Sequence, residues 1–308
     1  MKARGSLLTA DDFARTEATW VEPIATTFAG HEILEFPPNG QGITALIALN
    51  ILSRLDLTRH GPESVERRHC EIEAMKLAWV LRNRHVADPD HLDIGIDTLL
   101  SARTAERLAA LIDPSRALDD PASRVPMPGS DTIYLTVVDR NRLAVSFINS
   151  LYESFGSGIV TPRTGIVLQN RGACFVTTPG HPNCIGPGKR PLHTIIPAMV
   201  RRDQRIDMSF GVMGGAFQPM GHVTVMLNRY LYGMDPQAAL DFPRVFPQSG
   251  SVLVEDAVPA AIAAGLAARG HRPERSPAPL GGGQAIAIDR GVLIGGSDFR
   301  KDGMALGY

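Results

Sequence analysis

The sequence predicts a mixed α/β (α+β) fold with helices layered around two stacked sheets. Three observations carry this reading. Residues 1–131 are mainly helical in pattern, and residues 132–308 are rich in short β-forming runs. Between them lies Pro121-Ala122-Ser123-Arg124-Val125-Pro126-Met127-Pro128-Gly129. Each proline there fixes its own backbone and disfavours helix in the residue before it, so the stretch reads as an extended linker. The chain thus divides into two regions, 1–131 and 132–308, without internal repeats or low-complexity tracts.

The elements follow in order. Thr9-Ala10-Asp11-Asp12-Phe13 offers hydroxyl and carboxylate groups that cap the start of a short helix. Asn39-Gly40-Gln41-Gly42 reads as a loop, and Ile43 to Leu52 carries apolar residues at helical spacing. A second long helix is predicted over Val65 to Arg84, where Ile72, Met75, Leu77, Ala78 and Leu81 recur at mixed three and four spacing. After the linker, Ile133 to Val138 and Leu143 to Ile148 read as a hairpin turning at Asp139-Arg140-Asn141-Arg142, with Thr132 at its leading edge. Gly165 to Asn170 and Ile195 to Val200 read as strands, Val223 to Tyr232 and Ala257 to Ala268 as helices. A final hairpin joins Ala285 to Ile288 and Val292 to Gly295 through Asp289-Arg290-Gly291.

Composition narrows the function. Lys and Arg number 31 against 32 Asp and Glu, so no global field draws the chain to nucleic acid or to an anionic membrane. No segment approaches membrane-spanning length, no apolar run reads as a signal peptide, and a cytoplasmic chain acting on small molecules is the plain expectation. Cys70, Cys174 and Cys184 lack disulfide-framework or zinc spacing and are expected to remain thiols. His181, His193 and His222 likewise lack metal-ligand spacing, so neither a catalytic metal nor a cofactor is expected. The Gly281-Gly282-Gly283 run lacks the lysine and strand-helix context of a phosphate loop and reads as a flexible segment near the site.

Several segments share one resemblance. Asp131-Thr132-Ile133-Tyr134-Leu135-Thr136-Val137-Val138-Asp139, Phe155-Gly156-Ser157-Gly158, Gly188-Lys189-Arg190-Pro191-Leu192, Pro37-Pro38-Asn39-Gly40-Gln41-Gly42 and Ser297-Asp298-Phe299-Arg300-Lys301-Asp302-Gly303 occur in family order and spacing. Together they resemble the gamma-glutamyltransferase family of N-terminal-nucleophile hydrolases, nearly continuously from Thr9 to Tyr308. The resemblance implies a four-layer αββα sandwich, incomplete at the N-terminus, with residues 1–131 as the end of the large-subunit region and 132–308 as the small-subunit region. It also implies self-cleavage between Asp131 and Thr132, and association of the two fragments or of another chain that completes the fold.

The chemistry of such a site is specific. A threonine hydroxyl is a poor nucleophile until a base takes its proton, and a freed α-amine with a reference pKa of about 8 can serve. Cleavage before Thr132 creates that amine, because an amide nitrogen is not basic. By resemblance Thr132 is the nucleophile, Ser150 the second hydroxyl that contacts its amine, and Gly214 and Gly215 the oxyanion hole. Paired glycines in Met213-Gly214-Gly215-Ala216 suit that last role, since they let backbone amides approach closely.

The substrate positions depart from the transpeptidases. Cys174 replaces the aspartate that holds the glutamyl α-amine, Arg171 a polar glutamine, Tyr152 an asparagine, and His193 and Thr194 the paired serines that contact the carboxylate. A neutral thiol cannot pair with an ammonium group, whereas a guanidinium binds a carboxylate through parallel hydrogen bonds. The expected substrates are therefore small acidic amides or gamma-glutamyl-like compounds, including monoamides of the oxamate type and glutaryl amides.

Each residue also has a structural reading. Ser150 satisfies backbone groups near a turn, Cys174 is a small buried hydrophobe, Arg171 forms a structural ion pair, and His193 is a hydrogen-bonded core histidine. At the level of the chain, the family's large subunit supplies a carboxylate-binding arginine and part of the central sheet from a segment preceding the equivalent of residue 1. The second reading is accordingly a non-catalytic remnant that acts as an assembly partner or an inert fragment.

Overall fold

The computed structural model describes residues 5–119 and 131–308, with Asp131 described through its backbone. The linker expected at Pro121 to Gly129 lies outside the described residues. The helices are α1 Ala10–Ala14, α2 Gly42–Leu52, α3 Val65–His85, α4 Ile96–Leu99, α5 Ala102–Ala109, α6 Gln218–Met226, α7 Pro236–Asp241 and α8 Ala260–Ala268. The strands are β1 Ile24–Phe28, β2 His31–Glu35, β3 Asp131–Val138, β4 Ala144–Tyr152, β5 Ala198–Arg202, β6 Arg205–Met213, β7 Val245–Gln248, β8 Ser251–Val254, β9 Pro273–Arg275, β10 Gly282–Asp289 and β11 Val292–Ser297.

Local chemistry sets several of these boundaries. Thr9 opens α1 because both its amide and its hydroxyl donate to Asp12 Oδ2, each at 2.7 Å. Ser64 caps α3 by accepting the Arg67 amide. Every residue of α2 except Asn50 is buried, as expected of a helix apolar on all sides. Each fully buried Leu or Ile contributes about 1.5–3 kcal/mol, so this helix is the centre of the core. It packs against α3 on one side and β1 and β2 on the other.

The main sheet has six strands in the order β1-β2-β5-β6-β10-β11, all antiparallel. Strands β3 and β4 form a separate antiparallel pair laid against β6. The contact is close because Gly211 has no side chain. A Cβ there would lie 2.4 Å from Tyr134 Cε2, so the tyrosine ring rests on the β6 backbone. Two further ties fix the layer: Thr136 Oγ1 donates to Ser209 Oγ at 2.6 Å, and Ser146 Oγ to the Phe210 carbonyl at 3.3 Å. A small third sheet joins β7, β8 and β9.

The layers read from the sequence are therefore present as helices, a main sheet and a two-stranded second sheet. The outer face of the second sheet is uncovered among the described residues. Leu135 lies opposite Phe147 and Val137 opposite Val145, and these side chains are 43% to 52% exposed, while Ile133 reaches 69%.

Several boundaries and elements differ from expectation. Gly165 to Asn170 forms no strand; Gly165 adopts φ +69° and the Thr161 amide donates to the Ile166 carbonyl, closing a tight loop. The strand expected from Ile195 begins at Ala198, after Pro197, which has no amide to donate. The helix expected from Val223 starts earlier, at Gln218, and continues past Met226 as a π-helical turn over Leu227–Leu231. The helix expected from Ala257 starts after Pro259. Gly281, Gly282 and Gly283 are buried, and Gly282 pairs with Met213, so this run is packed structure instead of a flexible segment. The hairpin β1–β2 and strand β6 are elements that the sequence pattern did not reveal. No helix among the described residues is long and apolar enough to cross a membrane.

Candidate active site

Thr132 enters β3 at an irregularity in the pairing between Asp131 and Thr132. Ser150 stands opposite it on β4, and Thr132 Oγ1 donates to Ser150 Oγ at 3.1 Å. The same serine oxygen accepts the Tyr152 amide at 2.9 Å. Ser150 thus fills both readings at once, satisfying a backbone group and contacting the threonine hydroxyl. Tyr152 adopts φ +81°, a conformation uncommon for a bulky residue, and this turns the chain sharply at the end of β4.

The glycine pair sits at the end of β6. Tyr134 packs on Gly211 and Thr136 on Ser209, so the same two-residue progression carries Thr132 to the Met213 end of the strand. Gly214 there has φ +135°, and a Cβ on it would lie 2.9 Å from Gly281 Cα, which excludes any side chain. The Gly214 carbonyl accepts the Phe217 amide at 3.0 Å and the Gly215 carbonyl accepts Gln41 Nε2 at 2.9 Å. With both carbonyls held, the peptide planes that carry the Gly215 and Ala216 amides are fixed in orientation.

Arg171, Tyr152, Cys174 and Thr194 form the next group. Arg171 Nη1 donates to Thr194 Oγ1 at 2.9 Å, and its guanidinium lies 5.2 Å from the Tyr152 ring centroid. Its Nη2 has no oxygen acceptor among the described residues, although the residue is buried. Burial lowers the Arg171 pKa, with the neighbouring Cys174 and Tyr152 opposing; the guanidinium nevertheless keeps its proton. Burial likewise raises the Cys174 thiol, so it is neutral near pH 7, and raises the Tyr152 phenol. No carboxylate pairs with Arg171 among the described residues, so its expected structural ion pair is not observed.

His193 behaves differently. Its ring turns toward Gly40, whose added Cβ would meet His193 Cε1 at 3.1 Å. Its amide donates to the Asn39 carbonyl and its carbonyl accepts the Gln41 amide, locking the two loops together. Burial, aided by the Arg171 cation, brings its pKa down to about 4. The ring is neutral near pH 7, and its Nδ1 has no hydrogen-bond partner among the described residues.

Two residues that sequence reasoning missed hold the site together. Gln41 is fully buried, and its Nε2 donates to the Thr194 carbonyl at 2.8 Å as well as to Gly215. Its Oε1 accepts Arg82 Nη1 at 2.8 Å, so its amide oxygen and nitrogen are both engaged. Burial lowers the Arg82 pKa to about 10. The Pro37 to Gly42 stretch stood out in the sequence, but nothing local shows that its glutamine reaches Gly215 or that Arg82, on α3, supports it.

The comparisons agree with this architecture. The family profile described as "Gamma-glutamyltranspeptidase" matches residues 1–308. A glutathione hydrolase-like YwrD proenzyme of Bacillus subtilis is 37% identical over all of this chain and 60% of its own length. An oxamate amidohydrolase proenzyme of Klebsiella pneumoniae is 35% identical, again over all of this chain and 59% of its own length. The chain therefore spans about 60% of these relatives. A cephalosporin acylase structure from Bacillus halodurans superposes with a TM-score of 0.91 at 41% identity, covering 98% of this chain and 56% of that one. With the family profile matched end to end and an N-terminal-nucleophile hydrolase fold in its solved neighbours, this chain belongs to the gamma-glutamyltranspeptidase family.

Proposed function

We propose that the chain is an amide hydrolase or acyltransferase in which Thr132 is released by self-cleavage and then acts as the nucleophile. The observation that carries this reading is the Thr132–Ser150 hydroxyl pair at the glycine-turn end of β6. Its relatives are named as proenzymes, which supports processing.

In the first stage Thr132 Oγ1 attacks the Asp131 carbonyl carbon, the C–N bond breaks, and the nitrogen takes the proton. Water then hydrolyses the resulting ester, leaving an Asp131 carboxylate and a free Thr132 amine. In the second stage that amine accepts the hydroxyl proton as Oγ1 attacks the substrate amide, and the Gly214–Gly215 turn stabilises the oxyanion. The proton passes to the departing amine, and water or an acceptor amine resolves the acyl-enzyme. The scheme uses no cofactor.

Arg171 is the proposed carboxylate anchor, supported by an Nη2 without an oxygen acceptor among the described residues and by the neutral Cys174, which offers no charge to an α-ammonium group. Acidic amides lacking an α-amine fit best. The intact mass of purified protein incubated near neutral pH tests the reading directly. Two fragments meeting between Asp131 and Thr132 are expected, and Thr132→Ala should leave one chain without hydrolytic activity; retained activity in that variant would sink the assignment. Arg171→Met should lower kcat/KM by about tenfold or more for acidic amides, the scale of a lost charged hydrogen bond, and less for neutral ones. Equal losses on both would count against the anchor.

The uncovered face of β3–β4 favours a second reading, in which this chain is an assembly partner. The family length beyond this chain, in the same or another polypeptide, then covers Leu135, Val137, Val145 and Phe147 and completes the pocket. An uncut, inactive chain that gains activity on adding that remainder would establish it.

A further inference from the structure

A second cluster lies away from the candidate active site, where α3 meets the exit of α8. His69 and Glu73 stand one turn apart on α3, and His271 follows the helix that ends at Ala268. All three are buried, with exposures of 0%, 0% and 6%. His69 Nδ1 is 2.8 Å from His271 Nε2, that nitrogen is 3.9 Å from Glu73 Oε1, and the three candidate ligand atoms all lie within 4.8 Å of one another.

The surrounding bonds orient the lone pairs. His69 Nε2 faces the Asp113 carbonyl at 2.7 Å, which assigns the ring proton to Nε2 and leaves Nδ1 bare toward the cluster. A backbone carbonyl behind a histidine is the usual outer support of a metal-binding imidazole. Glu73 Oε2 is held by the Leu118 amide at 2.6 Å, which fixes Oε1 toward His271. His271 Nδ1, on the far side of the ring from the cluster, is buried without a partner among the described residues.

We infer that His69, Glu73 and His271 form a binding site for a divalent first-row transition metal, with zinc the best match. Two imidazoles and a carboxylate are a recognised zinc ligand set, with the fourth tetrahedral position left to water. Zn–N and Zn–O bonds of about 2.0–2.1 Å put neighbouring ligand atoms about 3.3 Å apart. The spacings of 2.8 Å and 3.9 Å bracket that value and the third lies within 4.8 Å, so side-chain adjustment makes the site. Lys76 Nζ, 2.9 Å from Glu73 Oε1, is the competing cation. It also reaches the Leu118 carbonyl at 3.2 Å and can keep that partner when the metal takes Oε1. The ion would staple α3 and the exit of α8 to the Asp113–Leu118 segment, which in sequence precedes the linker and Thr132.

The test is a titration of chelator-treated full-length protein with cobalt(II), followed by zinc. A visible d–d band that saturates at one equivalent, lacks a thiolate charge-transfer band, is displaced by zinc and accompanies a rise in Tm is expected. His271→Ala and His69→Gln should each weaken zinc binding by at least about tenfold, while Cys184→Ser should not. An absent band, a thiolate band, or affinity unchanged in both histidine variants overturns the site. If neither variant folds, the wild-type readings decide: no saturable band and no zinc-dependent Tm shift overturn it.

Discussion

A half-buried imidazole beside a buried guanidinium has one favourable protonation state. His193 is depressed from 6.5 to about 4 in the folded chain, chiefly by burial and then by Arg171. Below 6.5 the unfolded state therefore binds a proton that the folded state refuses until about 4. Stability from this residue is complete above that window and is lost as pH falls through it, by on the order of 3 kcal/mol. Urea unfolding at pH 7 and pH 4.5 should show a smaller acid loss in His193→Gln than in the unchanged chain; identical losses would refute the assignment. At this scale the sequence revealed chemistry better than connectivity. Thr132 and Ser150 stood out because they sit in segments that resemble the family, and Tyr152, Arg171, Cys174 and Thr194 because they depart from it; the structure brings Thr132 against Ser150 and Arg171 against Tyr152 and Thr194. Gln41 did not, since an amide has no charge or spacing that announces three long-range partners.

Elements were legible where periodicity was strong. Helices α2 and α3 and both the β3–β4 and β10–β11 hairpins follow from apolar spacing. Strand β6 was missed because its nine residues, Arg205 to Met213, are largely buried on both faces and show no alternation. Hairpin β1–β2 was missed because its turn residues are Ala29 and Gly30, both at positive φ, without the usual Asn-Gly or Asp-Gly signal. Gly165 to Asn170 had strand-like composition, but its glycine closes a loop. The end of β6 supplies a sharp element-level test. Gly214→Ala adds a 2.9 Å backbone clash to an unfavourable φ, and should cost about 1–3 kcal/mol and most activity. Gly158→Ala, also at positive φ but with open space around it, should cost only about 1 kcal/mol and spare activity. Equal effects in thermal melts would show that the turn at Gly214 is not confined by Gly281.

For the whole molecule, the layers were predictable from the sum of helical and strand-forming segments, whereas the uncovered sheet face was not. Exposure depends on what lies against a strand, and Leu135 or Phe147 reads the same in sequence whether covered or bare. Apolar strand faces of this kind promote association. The chain by itself should self-associate in sedimentation experiments, and Leu135→Lys with Phe147→Lys should reduce this without altering far-UV circular dichroism. A monodisperse monomer before mutation would argue against it.

The pairing of β2 with β5 has a kinetic consequence. Ile33 aligns with Val200 and Leu34 with Met199, so strands from before and after Thr132 are neighbours in one sheet. Glu35 is further tied to His222 at 2.6 Å. A cut before Thr132 therefore leaves one interlocked body, yet it changes the molecularity of folding. The intact chain folds as a single molecule whose own connection supplies a high effective concentration. The cut pieces, once unfolded, must find each other by diffusion. Refolding of processed protein should slow in proportion to dilution, and its thermal unfolding should depend on protein concentration, while the uncut Thr132→Ala chain should show neither effect.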